Sequence, residues 1–309
     1  MNFTIPSYDP TLPATPGLMI CGFTKCATST LHLWLTQHPR IRGGIRKELG
    51  YFHDPKSYFF NPQANWRDHG LAGLASLFED ARAGDILIDS TPGYAHHQTA
   101  LEHIPQLPGP PLCLFVLRDP VMQIISTWRY FSNSRDYIPK DIGLPRFIDM
   151  ILTGEAAETF PQDHLRDCIG RARFSLVLEK WERALPADRI MVLEMGAMLA
   201  NPSVAVTCVL DQLGLSFEGY ENYAWPSENR SYDVRSTRLR SIAEAARLLL
   251  PRDGVLRTVM RDGYRRLNTT RPPPTRADYE HTQAIMRLRN ALAEEYDALA
   301  DRGIVFAKR

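Results

Sequence analysis

The sequence predicts an α/β fold of three layers, a central parallel sheet flanked by helices. Three observations carry this expectation. Four short apolar runs, 18–21, 86–89, 112–117 and 190–193, have the length and composition of strands buried on both faces. Amphipathic segments lie between them, where crossover helices would run. The first run ends at Gly22, and beyond a hydroxyl-rich turn the apolar period switches from that of a strand to that of a helix. A chain of 309 residues is ample for one such domain.

The elements follow in order. Residues 1–16 are rich in Pro and Thr and read as an extended leader, with 17–309 as a single domain. Leu31, Trp34 and Leu35 fall at i, i+3 and i+4, so a helix opens near Thr28 and Ser29 and stops before Pro39. The second strand is Ile86–Asp89. The third, Leu112–Leu117, follows a rigid loop from Pro105 to Pro111, and the fourth is Ile190–Leu193. Asn201, Pro202 and Gly214 suit the cap, first turn and exit of a further helix. After the break at Arg271–Thr275, an amphipathic helix at roughly 277–302 ends at Gly303 and is expected to pack on the domain. No internal repeat is visible.

Composition narrows the function. Hydrophobic residues make up 44% and charged residues 23%, the balance of an ordinary globular domain. The net charge of +1 gives no global field for nucleic acid or an anionic membrane, so an anionic ligand must meet local clusters of Lys and Arg. The cysteines at 21, 26, 113, 168 and 208 form no CxxC pair, which favours a reducing compartment over a disulfide framework or zinc site. No apolar run has the length of a membrane span, and the first residues lack a signal-peptide pattern. The expectation is a cytoplasmic chain without nucleic-acid or membrane partners.

The run Gly22-Phe23-Thr24-Lys25-Cys26-Ala27-Thr28-Ser29-Thr30, between strand and helix, is suited to holding an anion. The first N–H groups of a helix have no intrahelical partner, and the helix dipole is positive there. Three hydroxyls add donors, and Lys25 adds a full charge. The run is not a Walker A loop: the Lys comes third after Gly22 and there is no second Gly. It resembles the 5′-phosphosulfate loop of the sulfotransferases that use 3′-phosphoadenosine 5′-phosphosulfate (PAPS). Within that family it is closest to the branch of heparan sulfate and bacterial enzymes, whose loop usually reads Lys-Gly-Gly-Thr. Here Cys26 and Ala27 stand for the two glycines.

Two further segments follow in the family's order. Lys47-Glu48-Leu49-Gly50-Tyr51-Phe52 resembles the Lys-Glu-x-x-Phe-Phe segment of that branch, which implies Glu48 as the base that takes the acceptor's proton. His53 is a rival base. Arg118-Asp119-Pro120, with Ser126 eight residues after Arg118, resembles the family's 3′-phosphate segment. Gln123 and Trp128 replace the Arg and Tyr common there. Between them Asp89-Ser90-Thr91-Pro92-Gly93-Tyr94 resembles a Glu-Lys-Thr-Pro-x-Tyr segment, with Ser90 in place of a second active-site Lys that Arg46 or Lys47 would have to replace. Asn229-Arg230-Ser231 and Arg235 lie where relatives place a nucleotide-closing loop.

The resemblance implies an α/β, P-loop-like fold and a PAPS-dependent sulfotransferase releasing 3′,5′-ADP without a metal. It implies Lys25, Cys26, Ala27, Thr28, Ser29, Thr30, Arg118, Ser126 and Arg235 on the donor, with Lys25, Glu48 and His53 at the chemistry. The adjacent pair His96-His97 lacks metal-ligand spacing. Aromatic residues at 51, 52, 94, 128, 130 and 131 would suit a small molecule or carbohydrate acceptor, and the low net charge leans against a long polyanionic glycan. Two other classes remain: a P-loop kinase or NTPase needing Mg²⁺ and ATP, and a non-catalytic protein that keeps the fold to bind a ligand.

Overall fold

The computed structural model describes residues 8, 9, 11–226, 233–234, 269–270 and 279–306. Five strands form the main sheet: β1 (Leu18–Gly22), β2 (Ile41–Gly43), β3 (Ile86–Asp89), β4 (Leu112–Leu117) and β5 (Ile190–Glu194). Their order is β2-β3-β1-β4-β5, and each neighbouring pair is parallel. Every residue of β1, β3 and β4 is buried, which is why those strands read as unbroken apolar runs. The edge strand β2 is the one sequence reasoning missed. Ile41-Arg42-Gly43 has a single apolar residue and only three residues in all, too little for a periodic signal. A separate antiparallel pair joins Asp233–Val234 to Thr269–Thr270.

Helices flank the sheet. The helix α1 (Thr28–Leu35) follows β1, α2 (Trp66–Ala75) precedes β3, α3 (Gln98–His103) precedes β4, and α4 (Pro120–Asn133) follows it. Short helices α5 (Leu144–Thr153), α6 (Glu155–Thr159), α7 (Asp163–Arg166) and α8 (Cys168–Arg171) lead to α9 (Phe174–Ala184). After β5 come α10 (Met195–Ala200) and α11 (Pro202–Gln212), and Gly214, at φ +66°, provides the exit expected of it. Asn201 stands at the cap position of α11, but its side chain makes no capping bond there.

The segment expected as one helix at 277–302 is two, Tyr279–Ala291 and Ala293–Asp301, separated at Leu292, which leaves helical geometry with φ −111° and ψ 14°. Both helices pack against the preceding part of the chain. Ala284, Leu288 and Leu292 join Phe147, Ile148 and Ile151 in a second hydrophobic cluster beside the one around the sheet. Buried Glu295 accepts from the N–H of Ser175 at 2.9 Å and its hydroxyl at 2.5 Å, satisfying the open N-terminus of α9. The Arg302 guanidinium forks onto Glu182 near the other end of α9, at 2.6 and 3.0 Å.

The described part of the leader is not loose. Tyr8 donates its N–H to Asp85 and accepts from Gly84, at 2.6 and 2.8 Å, so the leader runs beside the entrance to β3. No helix of the described residues is long and apolar enough to cross a membrane.

Candidate active site

The chain path dictates where a site forms. From the central strand β1 the sheet extends through β3 and β2 on one side and through β4 and β5 on the other. At such a switch point the loops leaving the strand ends diverge and open a crevice. A cleft of about 830 Å³ lies there, lined by residues that follow all five strands.

The β1–α1 loop forms its floor. Gly22 is required where it stands: a Cβ would lie 2.9 Å from the Phe115 ring and 3.1 Å from the Ala95 methyl. Phe23 anchors the loop in the core, its ring 4.4 Å from that of Phe174 and 5.9 Å from that of Phe115. Lys25 and Ala27 both adopt left-handed backbone conformations, φ +67° and +60°. Ala27 is the residue before α1, and its carbonyl accepts from Thr30 and Leu31. The loop therefore turns sharply enough to present Lys25, Ala27, Thr28 and Ser29 to the cleft.

Cys26 and Thr30 turn the other way. Both side chains are fully enclosed, and the Cys26 thiol points to the Thr24 carbonyl at 3.6 Å. The expected Thr30 hydroxyl is thus not presented to a ligand, and Cys26 can contribute only its backbone. For Thr30 the cause is helix geometry: one turn of α1 has one face on the cleft and one on the core.

Lys25 is a strongly perturbed cation of the cleft. Its ammonium sits 3.7 Å from the centroid of the Tyr130 ring. Burial, followed by the nearby Arg118 guanidinium, pulls its pKa down to about 8. Arg118 donates to the Lys25 carbonyl at 3.3 Å, and buried Gln123 donates to the Thr24 carbonyl at 3.1 Å. Gln123, at the position where relatives carry an Arg, thus braces the loop backbone. Arg118 and Ser126 both line the cleft, brought together by the start of α4. Asp119 caps that helix by accepting from Met122 at 2.9 Å, with Pro120 in its first turn.

On the opposite wall, the Glu48 segment is held by a buried network. The Asp89 carboxylate accepts from the Leu49 N–H, the Thr91 hydroxyl and the Tyr94 hydroxyl at 3.3, 2.7 and 2.8 Å. The same two hydroxyls accept from the N–H groups of Gly50 and Tyr51. Burial raises Asp89 to about 6, against the pull of these bonds. Asp89, Thr91 and Tyr94 therefore fix the backbone of residues 49–51 beside Glu48, while Thr91, Pro92 and Gly93 also line the cleft. Glu48 lines the cleft with its side chain 55% exposed, and pairs with Lys47 at 2.7 Å.

His53 also reaches the cleft. Burial, then its neighbour His97 with rings 4.6 Å apart, lowers it to about 4, so it is neutral near pH 7. Its Nδ1 lies 3.1 Å from the Phe59 carbonyl, which can only accept. The ring proton is thereby fixed on Nδ1, leaving Nε2 as the basic nitrogen.

Ser90 does not face the cleft at all. It is wholly buried and its hydroxyl lies 2.8 Å from Nδ1 of His32. Arg46 does line the cleft and donates to the Leu49 carbonyl at 2.6 Å, whereas Lys47 is committed to Glu48. His97 accepts from the Asp54 N–H, and the Asp54 carboxylate receives the first two N–H groups of α3 at 3.1 and 2.8 Å, a capping role. Asn229, Arg230, Ser231 and Arg235 lie outside the described residues.

Sequence reasoning missed Arg129 and Arg135, which follow Ser126 into the cleft. With Lys25, Arg46 and Arg118 they make, among the described residues, five cations in its lining against one carboxylate, Glu48. An anion is the ligand such a lining suits. Of the aromatic residues expected around an acceptor, Tyr130 and Phe131 line the cleft, while Tyr51, Phe52 and Tyr94 are core.

The chain is similar to mouse heparan sulfate glucosamine 3-O-sulfotransferase 6, with 26% identity over 200 residues, 65% of this chain and 52% of that protein. Human heparan sulfate glucosamine 3-O-sulfotransferase 3B1 matches at 26% over 200 residues, covering 65% and 46%. These likenesses are to sulfotransferases. The mouse bifunctional heparan sulfate N-deacetylase/N-sulfotransferase 4 matches this chain at 21% over 216 residues, 68% of the chain and 23% of that protein. The chain spans about half the length of the 3-O-sulfotransferases it matches. The crystal structure of a sulfotransferase from Alicyclobacillus acidocaldarius superposes with a TM-score of 0.58 at 16% identity, over 82% of this chain and 96% of that one, a likeness of fold. No family model matches.

Proposed function

We propose that this chain transfers a sulfuryl group from PAPS to a hydroxyl, or an amine, of a small-molecule or carbohydrate acceptor. The observation that carries the reading is Lys25: a buried ammonium at the N-terminal end of a helix, in a cleft of cations, facing a wall that holds Glu48 and His53. The relatives named for heparan sulfate favour a carbohydrate acceptor.

The chemistry asks for three things. The acceptor oxygen forms a bond to sulfur while the bond from sulfur to the bridging phosphate oxygen breaks, its electron pair leaving on that oxygen. Lys25 donates a hydrogen bond to this oxygen as charge grows there. The N–H groups at the start of α1, with the Thr28 and Ser29 hydroxyls, hold the 5′-phosphate. Arg118 and Ser126 hold the 3′-phosphate, the guanidinium through its fork. Glu48 takes the acceptor proton, and His53, neutral and with Nε2 unprotonated, is the second reading for the base. No step calls for a metal.

Lys25→Ala is expected to abolish transfer of labelled sulfate from PAPS while leaving the far-UV circular dichroism unchanged. Normal turnover in that variant would sink the reading. Glu48→Gln should lose turnover and keep nucleotide affinity; if turnover survives and His53→Asn loses it, the base is His53. Calorimetry should show binding of 3′,5′-ADP without Mg²⁺. Binding of ATP only with Mg²⁺ would favour a kinase or NTPase instead.

A further inference from the structure

Arg135 occupies an unusual position. It lines the cleft, and its Nε donates to the Tyr130 hydroxyl at 2.8 Å. Its guanidinium carbon lies 5.6 Å from the centroid of the same ring over which the Lys25 ammonium sits at 3.7 Å. One tyrosine therefore holds two cations, one over its face and one at its hydroxyl. Among the described residues no carboxylate pairs with Arg135, and its two terminal nitrogens make no protein hydrogen bond. Two like charges gathered on one ring at the mouth of an anion-binding loop repel each other when the cleft holds no anion. An anion placed between them removes that cost, and the terminal guanidinium nitrogens are the donors left to meet it.

We propose that Arg135 is a second anion-binding residue for the transferred sulfuryl group, and that Tyr130 is the positioning residue that spaces it from Lys25. The proposal rests on the sulfotransferase reading for its ligand. The arrangement itself, two cations coupled through one ring, does not depend on it. Lys25 faces Arg118 and Arg135 as cations, Glu48 as an anion and the Cys26 thiol, while Arg135 faces Tyr130, Tyr137 and Glu48. Arg135 is the cation in this set that Tyr130 holds by a hydrogen bond.

The test uses the full chain and two ligands, PAPS and 3′,5′-ADP, which carry the 3′- and 5′-phosphates in common and differ by the sulfuryl group. Arg135→Gln is expected to weaken PAPS about tenfold or more and leave 3′,5′-ADP within about twofold. Equal weakening of both would place Arg135 on the nucleotide, and unchanged affinity for both would remove it from the donor altogether; either result overturns the proposal. Tyr130→Phe keeps the ring and loses the hydroxyl, so it should reproduce part of the Arg135→Gln loss for PAPS alone. A loss for neither ligand would deny Tyr130 its role.

A second measurement separates this proposal from the proposed function. The Lys25 ammonium is titrated by NMR in nucleotide-free protein carrying ¹³C-methylated lysines, with Lys25→Arg identifying its signal. Arg135→Gln should raise the midpoint by relieving repulsion, Tyr130→Leu should lower it, and Tyr130→Phe should keep the contribution of the ring. If wild-type protein binds neither nucleotide, the donor assigned here falls with the sulfotransferase reading. Unmoved midpoints would show instead that the two cations are not coupled.

Discussion

At the scale of single residues, Lys25 combines a proposed role with instability. Its ammonium is held in a buried site where its pKa falls from 10.5 to about 8. The folded chain therefore binds fewer protons than the unfolded chain between those values, and stability rises with pH across that window. Below pH 8 the buried charge costs on the order of 1–3 kcal/mol in the ligand-free protein. On the proposed function donor binding runs the other way, because the bound anion needs the ammonium. Affinity for 3′,5′-ADP should fall as pH rises through 8, by up to about tenfold per unit, as measured by calorimetry in a pH series. The slope should vanish in Lys25→Arg. Ala27 illustrates a second residue-scale cost. A side chain in the left-handed region is disfavoured by roughly 1 kcal/mol, so Ala27→Gly should raise the free energy of unfolding by a few tenths to 1 kcal/mol in a denaturant titration. Lys25 was legible because its charge interrupts a strand-to-helix turn. Arg135 was not, because nothing in local pattern says where the chain goes after α4.

At the scale of elements, pattern reading succeeded where burial is uniform and failed where it is mixed. Strands β1, β3 and β4 are buried along their whole length and stood out in the sequence. The sidedness of α1 did not. Thr28, Ser29 and Thr30 are equivalent as letters, yet Thr28 and Ser29 line the cleft and Thr30 lies in the core. Which hydroxyl meets a ligand depends on the rotation of the helix about its axis, and packing sets that rotation. The motif at 89–94 carries a similar lesson: its Asp, Thr and Tyr point to the backbone of residues 49–51, and its Ser points away to His32. The C-terminal helices are equally part of the fold. Leu288 is fully buried in the cluster with Phe147 and Ile148, so Leu288→Ala should cost about 2–5 kcal/mol in chemical denaturation. A loss below 0.5 kcal/mol would show that the helix is not docked in solution.

At the scale of the whole molecule, the buried histidines set the acid limit. Burial holds His32 and His53 near 4, and it pushes His96 and His164 down as well. Each is a base whose folded pKa lies below its unfolded value of 6.5, so its contribution is whole above pH 6.5 and is lost as pH falls toward 4. The loss for His32 or His53 is about 3 kcal/mol at most. Asp89 acts in the opposite sense, since its carboxyl is raised from 3.8 to about 6 and gains stability on protonation, which offsets roughly one histidine. The balance favours loss. Thermal melting followed by circular dichroism should show the midpoint temperature dropping steeply between pH 6.5 and 4, and a flat profile there would contradict the burial of these rings. The order of the strands, unlike their number, was invisible in the sequence, because apolar runs say that strands are buried and not which lie side by side. Yet that order bears on the chemistry. Displacement at sulfur proceeds along a line, with one oxygen arriving as another departs. The segment after β2 carries Glu48 and His53, and the segment after β4 carries Arg118 and, on α4, Ser126. On the proposed reaction the fork in the sheet is also its axis: the nucleophile enters from the β3 side, the nucleotide leaves toward β4, and the central strand holds the charge that passes between them.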